Sequence, residues 1–377
     1  MINNISIENF KVFKNNVDFN NLKNINFLTG VNGRGKSSML QVLITLAQSF
    51  KEYNDFRYLC LNGGMINLGN AIDVKNEDLS REKDIIFEFG YNDYKFKLNF
   101  KIEQDNEQAI KLKQLTINDV PSDFNDDKLQ IIKNLFTNLV FISAERLGPK
   151  LHYDFCNDTN NVGTKGEFVA CALYNHKDDI IQNTIIESIA DIFPEINPEE
   201  LDRSLKGQVQ FWLSQMFRPT FINVEYIAPV NEYTIQFGAP DRTGKYKPTN
   251  VGFGYSYALP IIVASLLAKP ESIIIIENPE AHLHPMAQSI LSKFLSLVSK
   301  TGVQFFIETH SEHIINAPRV MIVQESFSEA NLNILYFDER YFSKYTNINV
   351  LANGKIENWP DGFFDQAELD NDIILGL

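Results

Sequence analysis

Apolar and polar positions along the 377 residues follow two rhythms, and the switch between them sorts the chain into regions. Ile5 to Asp18 mixes apolar and polar residues in the manner of a strand pair. Asn24 to Thr29, with Ile25, Phe27 and Leu28 at its centre, predicts a short buried strand. A glycine-rich turn follows, and Leu40, Leu43, Ile44 and Ala47 then take up helical spacing over Ser37 to Phe50. From Asp84 to Asn118 the period becomes two. Tyr94, Phe96, Leu98, Phe100 and Ile102 alternate with Lys95, Lys97 and Lys101, and Ile110 and Leu112 alternate with Lys111 and Lys113. Residues 84–118 are therefore expected to form an antiparallel β lobe.

Leu139 to Ser143 predicts another short strand, leading into Ala144-Glu145-Arg146. Residues 150–217 are expected to form a helical insertion, with the helical character over Thr164 to Phe217. Asn197-Pro198-Glu199-Glu200 is read as a helix start, combining a cap, a first-position proline and first-turn acids. No heptad is sustained there, which excludes long coiled-coil arms. After residue 218 strands and helices are expected to alternate. The clearest unit runs from strand Ser272 to Ile276, through helix Pro285 to Lys300 and the C-cap Gly302, to strand Val303 to Ile307. That alternation implies an α/β protein with a parallel-sheet core.

Composition narrows the function. Hydrophobic residues at 44% and charged residues at 22% are an ordinary globular balance. With 34 basic against 48 acidic residues, the net charge of −14 excludes a protein that coats nucleic acid non-specifically. No apolar run approaches the roughly 18 residues a membrane helix needs. The start, Met1-Ile2-Asn3-Asn4, lacks a signal-peptide pattern. Cys60, Cys156 and Cys171 are too scattered for a disulfide framework or a cysteine-bound zinc. A cytoplasmic protein without a membrane partner is expected.

Gly30-Val31-Asn32-Gly33-Arg34-Gly35-Lys36-Ser37 fits GxxxxGK[ST] and lies between a predicted strand and a predicted helix. Glycines let backbone amides fold around phosphate oxygens, and the helix N-terminus adds favourable partial charge. Lys36 is expected to reach the β- and γ-phosphates of ATP, and the Ser37 hydroxyl to ligate Mg²⁺. Ile273 to Ile276 run into Glu277, Asn278, Pro279 and Glu280, an apolar strand that ends in carboxylate as a Walker B element does. His282, His284, His310 and His313 have spacings open to metal. His310, ending the strand Phe305 to Thr309, is better placed to meet a γ-phosphate or its attacking water. Asn250-Val251-Gly252-Phe253-Gly254-Tyr255-Ser256 precedes the apolar stretch Ala258 to Leu267, a second anion-binding corner at a helix start.

The order of these motifs, with ENPEAHLHP and ETHSEH, resembles the SMC/RecF/OLD-type ABC ATPases. More closely, it is similar to bacterial AAA-family ATPases with a short C-terminal domain of unknown function. Ile5-Ser6-Ile7-Glu8-Asn9-Phe10-Lys11-Val12-Phe13 is similar to their opening strand, and Trp359-Pro360-Asp361-Gly362-Phe363-Phe364-Asp365 to their final piece, here residues 319–377. The resemblance implies one ABC-type head over residues 1–377, with Asn32, Gly33, Arg34, Gly35, Lys36, Ser37 and Ser38 around ATP. Ser37 and Glu277 would hold Mg²⁺. Gly252, Gly254 and Ser256 would form the signature, contacting the γ-phosphate held by another subunit, and His310 would be the switch histidine. Asn278 stands where the wider family has its catalytic glutamate. An amide cannot accept a proton from water as a carboxylate can, so either Glu280 takes over or bound ATP acts mainly as a clamp. A glutamine of the Q-loop type is sought after Phe141-Ile142-Ser143, with Arg146 a candidate contact. A single signature per chain implies a head-to-tail homodimer, or a higher even oligomer.

Three outputs are open at this point. The chain controls a separately encoded effector, such as a nuclease, in bacterial anti-phage defence; the 67 residues after His310 fall short of the roughly 100 a further catalytic domain takes. Or it is a RecF-like repair ATPase that contacts DNA through Lys95, Lys97, Lys101, Lys111 and Lys113, although a solvated strand face explains those lysines better, since edge strands commonly carry lysine. Or it is a nucleotide-gated scaffold that does not hydrolyse.

Overall fold

In the computed structural model, which describes residues 1–80, 82–103, 109–123, 126, 128–238, 244–338 and 345–375, the period-two stretch is the centre of a larger antiparallel sheet. Strands β1 (Ile2–Glu8), β2 (Val17–Phe19), β4 (Ile85–Tyr91), β5 (Tyr94–Ile102), β6 (Ile110–Ile117) and β7 (Val120–Ser122) pair in the order β2-β1-β4-β5-β6-β7. The lobe thus begins at residue 2 and takes in more chain than 84–118. Phe87, Phe89, Phe96, Leu98 and Phe100 bury one face of it. That face meets helix α3 (Leu129–Thr137) through Phe89 on Phe136, ring centres 5.5 Å apart. Register slips between Asn99 and Phe100, where Lys113 is the extra residue of a bulge.

Two further pieces complete this N-terminal region. Strand β3 (Ile25–Gly30) feeds the glycine loop and helix α1 (Lys36–Tyr53), and α2 (Ala71–Val74) is one turn closed by an Asn70–Asp73 capping box. The chain divides into two compact units, Met1–Thr137 with Glu329–Leu377, and Asn138–Ser328.

In the second unit, strand β8 (Val140–Ile142) is followed by helices α4 (Val169–His176), α5 (Asn183–Glu187) and α6 (Leu205–Met216). Asn197 does cap a turn, but it is a three-residue 3-10 turn, Pro198–Glu200, and α6 starts only after Ser204. The intervening backbone is spent elsewhere: Ile181 N–H donates to Arg203 O and Leu205 N–H to Asp179 O. Tertiary pairing here outweighs a good local cap. Strands β9 (Phe221–Ile227), β10 (Glu232–Gly238) and β11 (Lys245–Tyr246) form an antiparallel sheet, so strict strand–helix alternation begins later than residue 218.

Helix α7 (Phe253–Leu267) starts five residues before the expected Ala258 and is apolar almost all round, as a buried helix is. Strand β12 (Ile273–Glu277) lies between β8 and β13 (Gln304–Glu308), parallel to both, with all four isoleucines fully buried. Helix α8 (Pro285–Ser299) connects them, and α9 (Glu312–Val323) follows. Trp212 of α6 packs on Phe294 of α8 at 4.8 Å.

Returning to the first unit, β14 (Leu332–Phe337) runs parallel to β3 and antiparallel to β15 (Thr346–Ile348), and α10 (Gln366–Leu375) ends the described chain. The Trp359–Asp365 motif pins this tail: Phe363 is buried against Tyr336 at 5.3 Å, and the Tyr336 hydroxyl donates to Asp361 O. No helix among the described residues is long and apolar enough to cross a membrane.

Candidate nucleotide site

The phosphate loop joins β3 to α1 within the first unit. Gly30 has φ +114° and the Phe337 carbonyl lies where a Cβ would be, so no other residue fits. Gly35, at φ +113°, caps α1 without a side chain, and a Cβ there would press on the Phe13 ring at 2.8 Å. Val31 N–H donates to Phe337 O at 3.0 Å, which ties the loop to β14. Lys36 is only 3% exposed, and its Nζ donates to Gly30 O and Val31 O, each at 2.9 Å. Asn32 and Gly33 are exposed, whereas Arg34, Ser37 and Ser38 are half-exposed. The first turn of α1 contains no acid. Positively polarised first-turn amides, a buried ammonium and two accessible serines fit a polyphosphate with its Mg²⁺.

In the second unit, the end of β12 carries the carboxylates. Glu277 accepts the Ala144 N–H at 3.2 Å through Oε2. Burial pushes its carboxyl above the ordinary range, while that N–H and the Arg146 charge oppose the rise. Asn278 is left-handed at φ +45°, with its N–H on Glu308 O at 2.8 Å. Glu280 accepts from Thr309 Oγ1 at 2.7 Å and from the His310 N–H at 2.8 Å, one bond to each oxygen. Arg146 is buried under this turn. Its Nη1 donates to Ser143 O at 3.0 Å and Glu277 O at 2.7 Å, and its Nη2 to Asn278 O at 2.5 Å. Burial lowers the guanidinium to about 10, against the pull of Glu280, Tyr257 and Glu277.

Glu277, Asn278, Glu280 and His310 are thus brought together, with the His310 ring exposed. Arg146 was legible in the sequence only as a candidate contact of a Q-loop segment. Its targets were not, nor were Ala144, Thr309 and Tyr257, although Thr309 and Tyr257 directly adjoin His310 and Ser256 in sequence. His284 caps α8, accepting the Met286 N–H, and the His282 ring meets the Tyr257 ring at a tilt, centres 4.4 Å apart. Among the described residues no three metal-binding side chains cluster.

The glycine–serine stretch divides. Gly252 caps α7 at the surface and Phe253 is 53% exposed. Gly254 is buried under the Phe217 ring and His282 O. Ser256 is buried beside Tyr153, whose phenol burial raises to about 12. The lobe lysines share their face with acids: Lys95 meets Glu88 at 3.1 Å, Lys97 meets Glu88 at 3.9 Å, Lys111 meets Glu103 at 3.7 Å and Lys113 meets Asp84 at 2.7 Å. Lys101 is exposed on β5.

Comparison with known proteins adds the family. No curated protein sequence matches the chain. A solved SMC head bound to the C-winged helix domain of ScpA aligns over 93% of this chain and 98% of its own, at 11% identity and a TM-score of 0.51. The SMC head domain from Thermotoga maritima aligns over 93% of this chain and 99% of its own, at 13% identity and a TM-score of 0.46. The fold is therefore that of an SMC-type head, an α/β architecture with parallel strands and an antiparallel lobe. Residues 328–372 match a protein family of unknown function, DUF3696, which takes in the Trp359–Asp365 motif. Residues 93–315, more than half of the sequence, match the AAA ATPase domain, and the chain belongs to that family.

Proposed function

We propose that this AAA-family, SMC-like chain binds Mg-ATP, hydrolyses it slowly and dimerises around it, and so controls a separately encoded effector, such as a nuclease, in anti-phage defence. The buried Lys36 ammonium, held by the loop carbonyls at the start of an acid-free helix turn, carries the nucleotide part of this reading. Residues 32–38 are assigned to the phosphates, with Ser37 and Glu277 assigned to Mg²⁺, whose charge would neutralise the transferring phosphate. Glu280 is the assigned base, since Asn278 cannot accept a proton. Gly252, Gly254 and Ser256 are the assigned signature for the partner's nucleotide, and His310 the switch residue. The effector and the defence setting rest on the resemblance alone.

Single-turnover hydrolysis tests the reading. Wild type should bind Mg-ATP and turn it over slowly, Lys36→Ala should not bind, and Glu280→Gln should bind without turnover. A wild type with no affinity for ATP would sink it. One observation supports a second reading, a nucleotide clamp: both Glu280 oxygens already accept protein hydrogen bonds. ATP-driven dimerisation without turnover, with hydrolysis appearing in Asn278→Glu, would select the clamp.

A further inference from the structure

Asn278 adopts a left-handed backbone that favours glycine, and it does so next to the acid that ends β12. Such a conformation persists only where its surroundings hold it. Here the peptide is held on both sides: Asn278 N–H donates to Glu308 O at 2.8 Å, and Asn278 O accepts from Arg146 Nη2 at 2.5 Å and from Ala281 N–H at 3.1 Å. The turn so formed carries the chain from Glu277 to Glu280, whose carboxylate then lodges on Thr309 and His310 at the end of β13. Arg146 directs its Nη donors to carbonyl oxygens of Ser143, Glu277 and Asn278, and its buried Nε has no hydrogen-bond partner. The ring of Tyr257, one residue beyond Ser256 on α7, lies 5.3 Å from the guanidinium carbon.

We infer that Arg146 is a positioning residue for hydrolysis: it clamps the left-handed turn at Asn278 and thereby sets the Glu280 carboxylate. The inference rests on the ATPase reading above. A guanidinium suits the task because its two Nη groups, fixed in a planar fork, reach three carbonyls at once. Tyr257 braces the guanidinium face, so α7 and the turn share one anchor.

The test uses the full chain, with nucleotide affinity and single-turnover rate measured separately for wild type, Arg146→Met, Arg146→Lys, Tyr257→Leu and the double variant of Arg146→Met with Tyr257→Leu. Affinity in Arg146→Met should stay within about threefold of wild type while the rate falls about a hundredfold, the penalty of a misplaced group. Arg146→Lys should recover about tenfold of that loss, and Tyr257→Leu should add nothing once Arg146 is replaced. Should Arg146→Met not fold, Arg146→Lys carries the test through the same split of rate from affinity. A wild-type rate in either folded Arg146 variant overturns the inference. So does an equal loss of affinity and rate, or a lower melting temperature with an unchanged rate per folded molecule. A wild type that binds ATP but never turns it over removes the ATPase reading and this inference with it, and is told apart because the wild type alone shows it.

Discussion

Two helices of this protein begin with glycine and serine, and they hold them in different surroundings. At α1, Gly30 and Gly35 take positive φ against Phe337 O and the Phe13 ring, and Ser37 and Ser38 stay half-exposed. At α7, Gly252 is extended at φ −61°, Gly254 is small so that Phe217 and the His282 carbonyl can approach, and Ser256 is buried. Gly30, Gly35 and Gly254 all sit where a neighbour comes too close for a Cβ, but only the α1 serines stay open to solvent. The lesson is that glycine plus serine at a helix start marks close approach, and only the surroundings say what approaches.

The sharpest way to break this contrast is Lys36→Ala, which should weaken ATP binding more than a hundredfold by titration calorimetry, since it removes the buried charge of the α1 loop. Glu280→Gln comes next. Its single-turnover rate should drop about a hundredfold or more, within the range for losing a general base, with ATP affinity retained. Gly254→Ala should cost about 1–3 kcal/mol of stability, because the added methyl meets a ring and a carbonyl. A denaturant midpoint equal to wild type would show that α7 is not packed this way. Smallest of all, Lys111→Gln with Lys113→Gln should change DNA retention less than about twofold, because salt-bridged surface lysines lose little and gain little. A steep fall with a reduced salt slope would instead restore the lobe as a DNA surface.

Much of the fold was legible in short, self-contained signals. The phosphate loop is eight consecutive residues whose chemistry is local. Ile273–Ile276 announced a strand buried on both faces, and the alternation of Tyr94–Ile102 announced one buried on a single face. Signals that competed were misleading. Asn197-Pro198-Glu199-Glu200 has every mark of a helix start, yet residue 203 is paired to 181 and residue 205 to 179, and the turn stops at Leu201. Helix α7 was expected from Ala258, yet it takes in Gly254, packed under Phe217, and Tyr255, whose ring lies 4.3 Å from that of Phe217 and 5.1 Å from that of Phe237.

The sequence by itself determined that Gly30–Ser38 and Glu277–Glu280 each sit at the end of a buried strand, β3 and β12. Those features depend on neighbours within a few residues, where backbone geometry and side-chain period are set by local sterics. Tertiary structure alone decided three things. It made Asn278 left-handed, fastened Glu280 to Thr309 and His310, and brought Arg146 from 131 residues away to the Glu277 carbonyl. Each depends on hydrogen bonds between segments far apart in the chain, and no period or propensity encodes which distant carbonyl a buried guanidinium will find.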